Sequence, residues 1–574
     1  MMLRIALLGV PNSRDSGGAE RSPRGRRTWA LLAYVLLADR PPSRTALAEV
    51  FHPEANDPLG ALRWTLADLR KLVADTGTSV DGDPVSIEPG PGIEVDVLDL
   101  VALATSSGPL PGLLLERLAF RDAPRLESWL DLERHRLKAE IASVTREAAV
   151  TALAAGDDTA EAVRLAERLA DIEPLDERHH ALLIRALVAH GDSATARHRA
   201  GVATDMLSRE LGTAETNLIN AALDTAAAGE VSSPRAIDAL VVAGRAAMGA
   251  GVPDAALRTL GTALSDARRS GDKKVLVNAL LGLAEALSHG VRGLDEIALD
   301  LLYEAEAIAA STSDSQSLAV ARREIGYIEL LRGDYNGSDR WFKRALDAGP
   351  TSEDRLHIEA YRGSTLIDRG RFDDAQSILE SVIEDARSAG YDQPLAYSLA
   401  MLGRLHLSRG EYASAVPLVE ESIDVSNRAG WIAFRPFPEA LYAQALLGLG
   451  RAGEGRELAE ASFALACEVG DPCWEGISGH SLALADIDRG ELDRAVERLE
   501  DSYRRATRLP DSWSWLNGYV LAALADLLVD IDPVLAEARL TELEAIALPS
   551  NMEDLSQRAR ALRERIESKG LAVT

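Results

Sequence analysis

Cysteine is almost absent from this 574-residue chain, which contains only Cys467 and Cys473. The two are separated by five residues, with no second pair and no histidine cluster beside them. They therefore fit neither a zinc site nor a disulfide framework. We predict two reduced thiols in a cytoplasmic protein that binds no metal.

The common motifs of catalysis and the phosphate-binding loop of ATPases are also missing. The sequence has no HExxH, no G-x-S-x-G, no C-x-x-C and no G-x-x-x-x-G-K-[ST]. It contains no uninterrupted apolar run of about 18 residues, the length that spans a bilayer. The first apolar stretch, LRIALLGV, is predicted to be a β-strand and not a signal peptide. We expect a protein that is not an enzyme, uses no cofactor and has no membrane partner.

Positive charge is scarce except near the N-terminus. The chain has 62 Lys and Arg against 90 Asp and Glu, a formal net charge of −28. Residues 1–80 nevertheless contain eleven basic and eight acidic side chains. Because net charge governs association with polyanions, this first segment is the part suited to nucleic acid. The length predicts about two to four domains.

The first hundred residues alternate strand and helix signals. LRIALLGV and the polar turn NSRDSGG precede three predicted helices, at 26–38, 44–51 and 58–73. Ser43 is expected to cap the second helix, and Asp57 with Pro58 to start the third. Short β-rich pieces separated by the turns DGDP and EPGPG follow, as in a hairpin. This is the layout of a winged helix. From about Leu100 onward the pattern predicts helix throughout.

The helical remainder repeats about every 40 residues. Glycines recur at 251, 293, 333, 370, 410, 450 and 490, mostly in the pattern G-x-[aromatic or Leu]-x-x-[Ala or Ser]. Glycine permits the positive φ needed between antiparallel helices, and Ala375, Ala415 and Ala495 are small enough to let the helices approach. The period predicts an α-solenoid of tetratricopeptide-like hairpins over 235–574. VDIDPVLAEA near residue 530 lacks the glycine and is interpreted as a degenerate or capping repeat.

Several motifs resemble the SARP-like (antibiotic-regulatory-protein) transcription factors of actinobacteria. LESWLDLERHRL, with Trp129, Glu133 and Arg134, resembles their bacterial transcriptional activator domain, as do IEPLDERHHALLIRALVAHGD and LSRELGTAET. RGRRTWALLAYVLLADRPPSRTALAEVF and DPLGALRWTLADLRKLV resemble their winged helix of the OmpR/PhoB type, an effector-domain fold of phosphorelay regulators. The resemblance implies a mainly α protein with three parts: a winged-helix DNA-binding domain at 1–98, the activator domain at 99–228 and repeats at 235–574.

The third helix, ALRWTLADLRKLV, is the candidate recognition helix. At 100° per residue its leucines form one apolar arc that faces the core. The other side carries Arg63, Trp64, Ala67, Arg70 and Lys71. Arginine can donate two hydrogen bonds to guanine or bind a phosphate, and the resemblance implies that use here. The alternative is an ordinary amphipathic helix with solvated arginines.

Phosphate contacts are predicted at the starts of the first two helices, because helix N-termini favour anions. The candidates are Arg24, Arg26, Arg27, Arg44 and Thr45. Each is alternatively a solvated surface residue.

The expected wing, DGDPVSIEPGPGIEVDV, is acidic, unlike the basic helices predicted to contact DNA. It has no basic residue and carries Asp81, Asp83, Glu88, Glu94 and Asp96, while Asp68 lies at the edge of the recognition face. A wing of that charge is not expected to contact a phosphate backbone. DNA binding would then depend on the helix and on tandem dimerisation, or the domain has become a protein-contact module.

Aromatic residues concentrate in the later repeats. The cluster comprises Trp431, Phe434, Phe437, Trp474, Trp513 and Trp515, with Arg435 among them. Its members precede or begin the first helix of successive repeats, so stacking of the repeats is expected to bring them together. They are predicted to bind a protein segment or a small effector. The alternative is packing between repeats.

These features lead to two hypotheses for function. The first is a sequence-specific DNA-binding transcriptional regulator, with activation favoured and repression left open. It would bind double-stranded DNA at tandem or repeated half-sites as a homodimer, and contact RNA polymerase or another protein through the repeats. The second is a non-enzymatic repeat scaffold whose winged helix no longer binds DNA.

Overall fold

The computed structural model describes residues 2–38, 41–155, 159–211, 217–224 and 232–568. It divides into two compact units, Met1–Ala226 (unit 1) and Ala227–Thr574 (unit 2). The last residues of the motif LSRELGTAET, 212–216, lie outside the described residues.

Unit 1 begins with a small three-stranded sheet. Strand β1 (Leu3–Ala6) pairs antiparallel with β2 (Asn12–Asp15) and parallel with β5 (Ile93–Val95). Leu3 and Ile5 alternate with the exposed Arg4 and enter the core, which is why LRIA forms a strand. The prediction of β1 is confirmed. The prediction of a turn at NSRD is wrong, because these residues pair with β1 along their whole length.

Three helices and a hairpin follow. They are α1 (Arg26–Leu37), α2 (Arg44–Phe51), α3 (Pro58–Leu72), β3 (Ser79–Asp81) and β4 (Ser86–Glu88). The Ser43 hydroxyl accepts a hydrogen bond from the Ala46 amide at 3.2 Å, and the Asp57 carboxylate accepts one from the Gly60 amide at 2.8 Å. Both caps were expected from the sequence. The hairpin consists of β3 and β4 alone, since the third β-rich piece, GIEVDV, supplies β5 to the other sheet.

The rest of unit 1 is helical after one irregular segment. Its helices are α4 (Leu100–Thr105), α5 (Pro124–Ala155), α6 (Thr159–Ile172), α7 (Glu177–Ala189), α8 (Ser193–Leu211) and α9 (Asn217–Asp224). Residues 106–123 contain no helix, which corrects the expectation of continuous helix beyond Leu100. The Arg134 guanidinium on α5 donates to the carbonyls of Leu114 and Leu115, at 2.9 and 3.1 Å, and thereby holds this segment against the helix.

One hydrophobic core runs through α1–α3 and into this segment. Leu114, Phe120 and Leu130 belong to the same buried cluster as Trp29 and Leu66. The boundary predicted at residue 98 is therefore not marked by a break in the core.

Unit 2 is a series of antiparallel helix pairs. The pairs are α10 (Pro234–Gly249) and α11 (Pro253–Ser270), α12 (Lys273–Ala286) and α13 (Asp295–Thr312), α14 (Ser315–Arg332) and α15 (Tyr335–Asp347), α16 (Ser352–Asp368) and α17 (Phe372–Ala389), α18 (Asp392–Ser408) and α19 (Tyr412–Arg428), α20 (Pro436–Gly448) and α21 (Ala452–Val469), α22 (Pro472–Asp488) and α23 (Leu492–Ala506), and α24 (Ser514–Ile531) and α25 (Pro533–Ala547), followed by α26 (Glu553–Ser568).

The connections inside the pairs have the predicted geometry. Gly370 and Gly410 adopt φ of 75° and 73°, a region that side chains disfavour. Ala375, Ala415 and Ala495 are fully buried where the second helix packs on the first. One connection, GLGRAG at 448–453, has the spacing of a dinucleotide-binding loop. It joins two helices with no strand before it, so it lacks the context of that motif.

The solenoid winds tightly enough for successive turns to touch. Arg292 donates to Asp471 at 3.2 Å, and Arg332 donates to Asp511 at 3.2 Å; the partners of each pair are 179 residues apart. One superhelical turn therefore takes between four and five 40-residue repeats.

Helix α24 is long and apolar enough, by length and composition, to cross a membrane. It is 67% buried, and its leucines belong to the core of unit 2. Its apolar character is that of an inner solenoid helix.

Candidate nucleic-acid interface and aromatic cluster

The outer face of α3 carries an exposed strip made of Arg63, Trp64, Ala67 and Lys71. The inner face buries Leu62, Leu66 and Leu69, as the helical period predicts. Trp64 is 80% exposed, which is unusual for so large an aromatic side chain. Arg63 contacts only Asp57 among the described ion pairs, at 3.4 Å, and both side chains are solvated. Such a pair contributes little, so Arg63 can exchange this partner for a ligand.

Arg70 and Arg44 are bound to the hairpin. Arg70 donates through Nε to the Val80 carbonyl at 2.9 Å, and its Nη2 lies 3.6 Å from the Asp81 carboxylate. Arg44 donates through Nε to the Gly82 carbonyl at 3.0 Å and through its backbone amide to Asp83 at 2.8 Å. The hairpin thus engages two of the predicted DNA-binding arginines, whereas Thr45 remains exposed on α2.

The start of α1 is already capped by Asp68 of α3. The Asp68 carboxylate accepts hydrogen bonds from the amides of Arg24 and Gly25, at 2.9 and 3.3 Å, and from the Thr28 hydroxyl at 2.8 Å. A carboxylate therefore occupies the position where a phosphate was predicted. The Arg24 side chain itself is exposed.

Arg26 and Arg27 are paired with Asp122. Their guanidinium groups lie 3.3 and 2.7 Å from its two carboxylate oxygens, and Arg26 also lies over the Phe120 ring at 5.4 Å. The hydrogen bond from Arg27 lowers the pKa of Asp122, so the pair stays ionised. These two arginines hold α1 to the segment before α5.

The acidic wing is smaller than the sequence indicates. Asp81, Asp83 and Glu88 belong to the hairpin, but Glu94 lies on β5 beside Arg4, at 2.7 Å. Asp96 accepts hydrogen bonds from the amides of Leu7 and Leu8, each at 2.9 Å. Its burial raises its pKa. The last two acids therefore stabilise the sheet and lie outside the wing.

The predicted aromatic cluster of unit 2 does come together. Trp431 stacks on Phe434 with ring centres 4.3 Å apart, Phe437 lies 4.9 Å from Trp474, and Trp513 lies 5.0 Å from Trp515. All except Trp431 are buried. Arg435, half-buried, pairs with Glu439 at 2.5 Å. The geometry favours packing between repeats for the buried members, and Trp431 and Arg435 remain accessible to a partner.

This cluster is one half of a longer stack that sequence reasoning missed. His289, Tyr327, Tyr361 and Tyr397 continue it toward the N-terminal repeats, with neighbouring ring centres 4.2 to 5.1 Å apart. Tyr397 then reaches Phe434 at 6.0 Å. The available signal was one aromatic ring per repeat, at a spacing close to the glycine period.

A buried ion pair supports the C-terminal end of the stack. Arg404 donates to Asp368 at 2.6 Å and lies over the Trp515 ring at 4.1 Å. Trp513 donates through its indole nitrogen to the same carboxylate at 3.2 Å. The signal for this pair was an Asp and an Arg within otherwise apolar helices.

Among the described residues, Glu173, Asp176 and His179 could bring three metal-ligand atoms within 4.8 Å of one another. Asp176, however, accepts hydrogen bonds from the Arg178 guanidinium at 2.9 and 3.1 Å. Burial lowers the pKa of His179 to about 4. An arginine already supplies the positive charge at this carboxylate.

Comparison with known proteins supports a transcriptional regulator that carries helical repeats. Residues 112–223 match the bacterial transcriptional activator domain, and residues 355–428 match a tetratricopeptide repeat family. With the similarity to a regulator given next, these matches support a SARP-like regulator with C-terminal tetratricopeptide repeats, as the sequence predicted.

The chain is similar to the regulatory protein AfsR of Streptomyces griseus, with 25% identity over 259 residues. The match covers 44% of this chain and 25% of AfsR, so the chain spans about a quarter of the relative's length.

Solved structures with similar folds include Rap protein complexed with competence and sporulation factor, at 11% identity and a TM-score of 0.42, covering 59% of this chain and 95% of that one. Yeast Tom70 matches at 14% identity and a TM-score of 0.31, covering 73% and 95%. Both TM-scores are below 0.5.

Proposed function

We propose that the chain is a sequence-specific transcriptional activator of the cytoplasm, with an OmpR-type winged helix at 1–98, an activator domain at 99–228 and repeats at 235–574. The observation that carries the proposal is the exposed strip Arg63, Trp64, Ala67 and Lys71 on α3. It lies in the same unit as the segment that matches the activator domain. A helix of this kind can enter the major groove and contact base edges.

The exposure of each basic residue in unit 1 indicates its proposed role in DNA binding. Arg63 and Lys71 are exposed and supply base or phosphate contacts, while Arg24 and Thr45 flank the helix starts. Arg44 and Arg70 hold the hairpin in place until DNA competes for them. Because most of the chain is acidic, binding to tandem half-sites as a homodimer would add affinity that one domain lacks. The repeats would then contact RNA polymerase or another protein.

The test is to incubate the purified full chain with fragments of its own genome and sequence the fragments it retains. We expect enrichment of fragments that share a repeated motif, and binding that weakens steeply with salt as phosphate contacts are lost. The double variant Arg63→Ala, Arg70→Ala should lose this preference while remaining folded.

The matched control is Arg340→Ala, which removes an arginine that is 72% exposed on the repeats. It should retain the preference. If the unaltered chain enriches no fragment above random DNA, the proposal is contradicted.

The second candidate is a repeat scaffold whose first domain no longer binds DNA. One observation favours it: Arg26, Arg27, Arg44 and Arg70 are engaged by carboxylates or carbonyls of unit 1. In the same experiment a scaffold would bind DNA only weakly and without sequence preference.

A further inference from the structure

Unit 1 contains a cavity of about 300 Å³ beside the irregular segment that precedes α5. Residues 110–116 of this segment form one side of it, and residues of α5 and of the end of α6 form the other. Leu8, just beyond the end of β1, completes the wall. The cavity is therefore built from both sides of the boundary that the sequence predicts at residue 98.

Backbone hydrogen bonds fix the irregular segment at the cavity. The Gly9 amide donates to the Leu113 carbonyl at 2.9 Å, and the Glu116 amide donates to the Gly9 carbonyl at 2.8 Å. Leu8 and Leu114 form an antiparallel bridge between these contacts. The positions of Leu113 and Glu116 in the wall are therefore set by main-chain pairing.

The wall of the cavity is largely aliphatic and can be reached from solvent. Leu114, Leu137 and Ile141 are buried, whereas Leu110 and Leu113 are 37% and 50% exposed. A ligand can thus enter from water and cover leucine side chains that the unbound chain leaves exposed, which is favourable in proportion to the apolar area buried. None of the described residues that line the cavity is aromatic, so an aliphatic chain fits this wall better than a stacked ring.

The two cationic side chains of the wall already have partners. The Arg134 guanidinium donates to the Leu114 carbonyl at 2.9 Å and pairs with Asp131 at 3.2 Å. The Lys138 ammonium lies 4.0 Å from the Glu173 carboxylate. An anionic ligand would have to compete with these groups for positive charge.

Two carboxylates of the wall have no such partner. The side chains of Glu116 and Asp171 line the cavity, and neither makes a hydrogen bond or ion pair with the described residues. A Cβ atom on Gly112 would lie 2.5 Å from Glu116 Oε2, so this carboxylate lies directly over Gly112 at the cavity. Asp171 is exposed in the last turn of α6, where the helix carbonyls add partial negative charge. The free charge of the wall is therefore negative and favours a cation.

We propose that this cavity binds a small primary amine with an aliphatic chain. The chain packs against the leucine and isoleucine side chains, and the ammonium group donates hydrogen bonds to Glu116 or Asp171. The size fits this class: since a cavity of about 150 Å³ holds benzene, one of about 300 Å³ holds roughly twelve carbon or nitrogen atoms.

The bound amine contacts Leu8 together with the segment that matches the activator domain, so it acts as an effector where these parts of unit 1 meet. The site does not depend on DNA binding by α3.

The experiment titrates the full chain with hexylamine, a cation at neutral pH, by isothermal calorimetry. We expect one molecule to bind per chain. Hexan-1-ol, which has the same chain without the charge, should bind at least tenfold more weakly, and hexanoate, with the opposite charge, more weakly still. Propylamine should also bind at least tenfold more weakly than hexylamine, because it buries three fewer methylene groups.

The double variant Glu116→Gln, Asp171→Asn locates the ammonium group. It should bind hexylamine no more tightly than hexan-1-ol, while its affinity for hexan-1-ol stays that of the unaltered chain. The matched control is Glu54→Gln, Asp75→Asn, which removes two exposed carboxylates of unit 1 that lie outside the cavity. It should keep the preference for the amine.

Circular dichroism and thermal unfolding establish that each variant is folded. If the first double variant is not, the single variant Asp171→Asn, at an exposed position, decides the result. No binding of hexylamine, hexanoate bound as tightly as hexylamine, or an undiminished preference for the amine in the variant that decides would each overturn the proposal.

Discussion

Trp64 and Arg63 are neighbouring exposed side chains that contribute little to the stability of unit 1. Trp64 adds nothing to the core, and Arg63 has one solvated acidic partner, Asp57. Burying the Trp64 ring against DNA or protein would recover hydrophobic free energy that the unbound chain lacks. These residues are therefore where a change should affect binding with little effect on folding.

We expect Arg63→Ala to weaken binding to the enriched DNA by about 1–3 kcal/mol if Arg63 contacts guanine, with relaxed specificity at one base pair. If it contacts a phosphate, the loss should be uniform across sequences and the salt slope should fall by about 1. Binding measured over several salt concentrations distinguishes these results. The unfolding temperature should not change, and full retention of both affinity and salt slope would show that α3 is not the recognition helix.

For Phe437 in the aromatic cluster we predict an effect on stability, in contrast to the effect on binding predicted for Arg63. Phe437 is completely buried between Phe434 and Trp474, whereas Trp431 is only partly buried. Phe437→Ala should lower the free energy of unfolding by about 3–5 kcal/mol, because it leaves a cavity. Trp431→Ala should lower it much less. Chemical denaturation of both variants tests this, and equal losses would mean that Trp431 is also a packing residue.

At the scale of elements, the hairpin β3–β4 restrains the α3 surface. Its carboxylates and carbonyls hold Arg70 and Arg44, so an acidic loop occupies groups that a phosphate backbone would otherwise attract. Binding of DNA by these arginines requires that the hairpin contacts be exchanged.

We therefore expect Asp81→Asn to raise DNA affinity by more than Glu88→Gln. Both substitutions remove one negative charge from the hairpin, but only Asp81 lies beside Arg70, at 3.6 Å. The Asp81 variant removes the carboxylate beside Arg70 Nη2, while Nε stays bonded to Val80, in addition to reducing long-range repulsion. Titration of the two variants with the same DNA at one salt concentration gives the comparison. An equal gain in both would mean that overall charge is the sole effect.

The helices of unit 1 and the solenoid were predictable because local signals fix them. Caps at Ser43 and Asp57 and glycines at 370 and 410 specify where helices begin and end. The strand β2 was missed because NSRD has the composition of a turn and becomes a strand only by pairing with β1.

For the candidate site, the sequence predicts which side chains of α3 are exposed, but it does not predict which residues the arginines contact. The helical period placed Arg63, Trp64 and Lys71 outside correctly. It could not show that Arg70 bonds to Val80 or that Arg27 bonds to Asp122, since these contacts depend on tertiary packing. The burial of Trp474 and Trp513 likewise depends on the curvature of the superhelix.

At the scale of the whole of unit 2, a cluster of acids is buried where superhelical turns meet. The Asp295 side chain is completely buried, and neither of its oxygens has a hydrogen-bond partner among the described atoms. Burial, reinforced by the negative charge of Asp511, raises the pKa of Asp295 to about 7; Arg292 and Arg332 oppose the rise. The folded chain therefore binds this proton more tightly than the unfolded chain.

It follows that stability from Asp295 is lost as pH rises through about 7. We expect Asp295→Asn to raise the unfolding temperature at pH 8 by about 2–4 °C, and by less at pH 6, where the native carboxyl is largely protonated. Thermal unfolding at both values measures this. Asp385→Asn, which alters an exposed acid of the same unit, should show no such difference. A gain that is the same at both pH values would contradict the assignment.

The 179-residue separation of the two arginine–aspartate pairs also limits how the gene for this chain can vary. Inserting one 40-residue repeat between residues 332 and 471 would leave Arg292 and Arg332 facing different residues. Arg292 would then be buried without its carboxylate, and Arg332 would lose Asp511 and keep Glu296. Duplication or loss of repeats is therefore tolerated only beyond the paired loops, toward the ends of the array. Orthologues should conserve the number of repeats between these loops more strictly than the sequence of any one repeat.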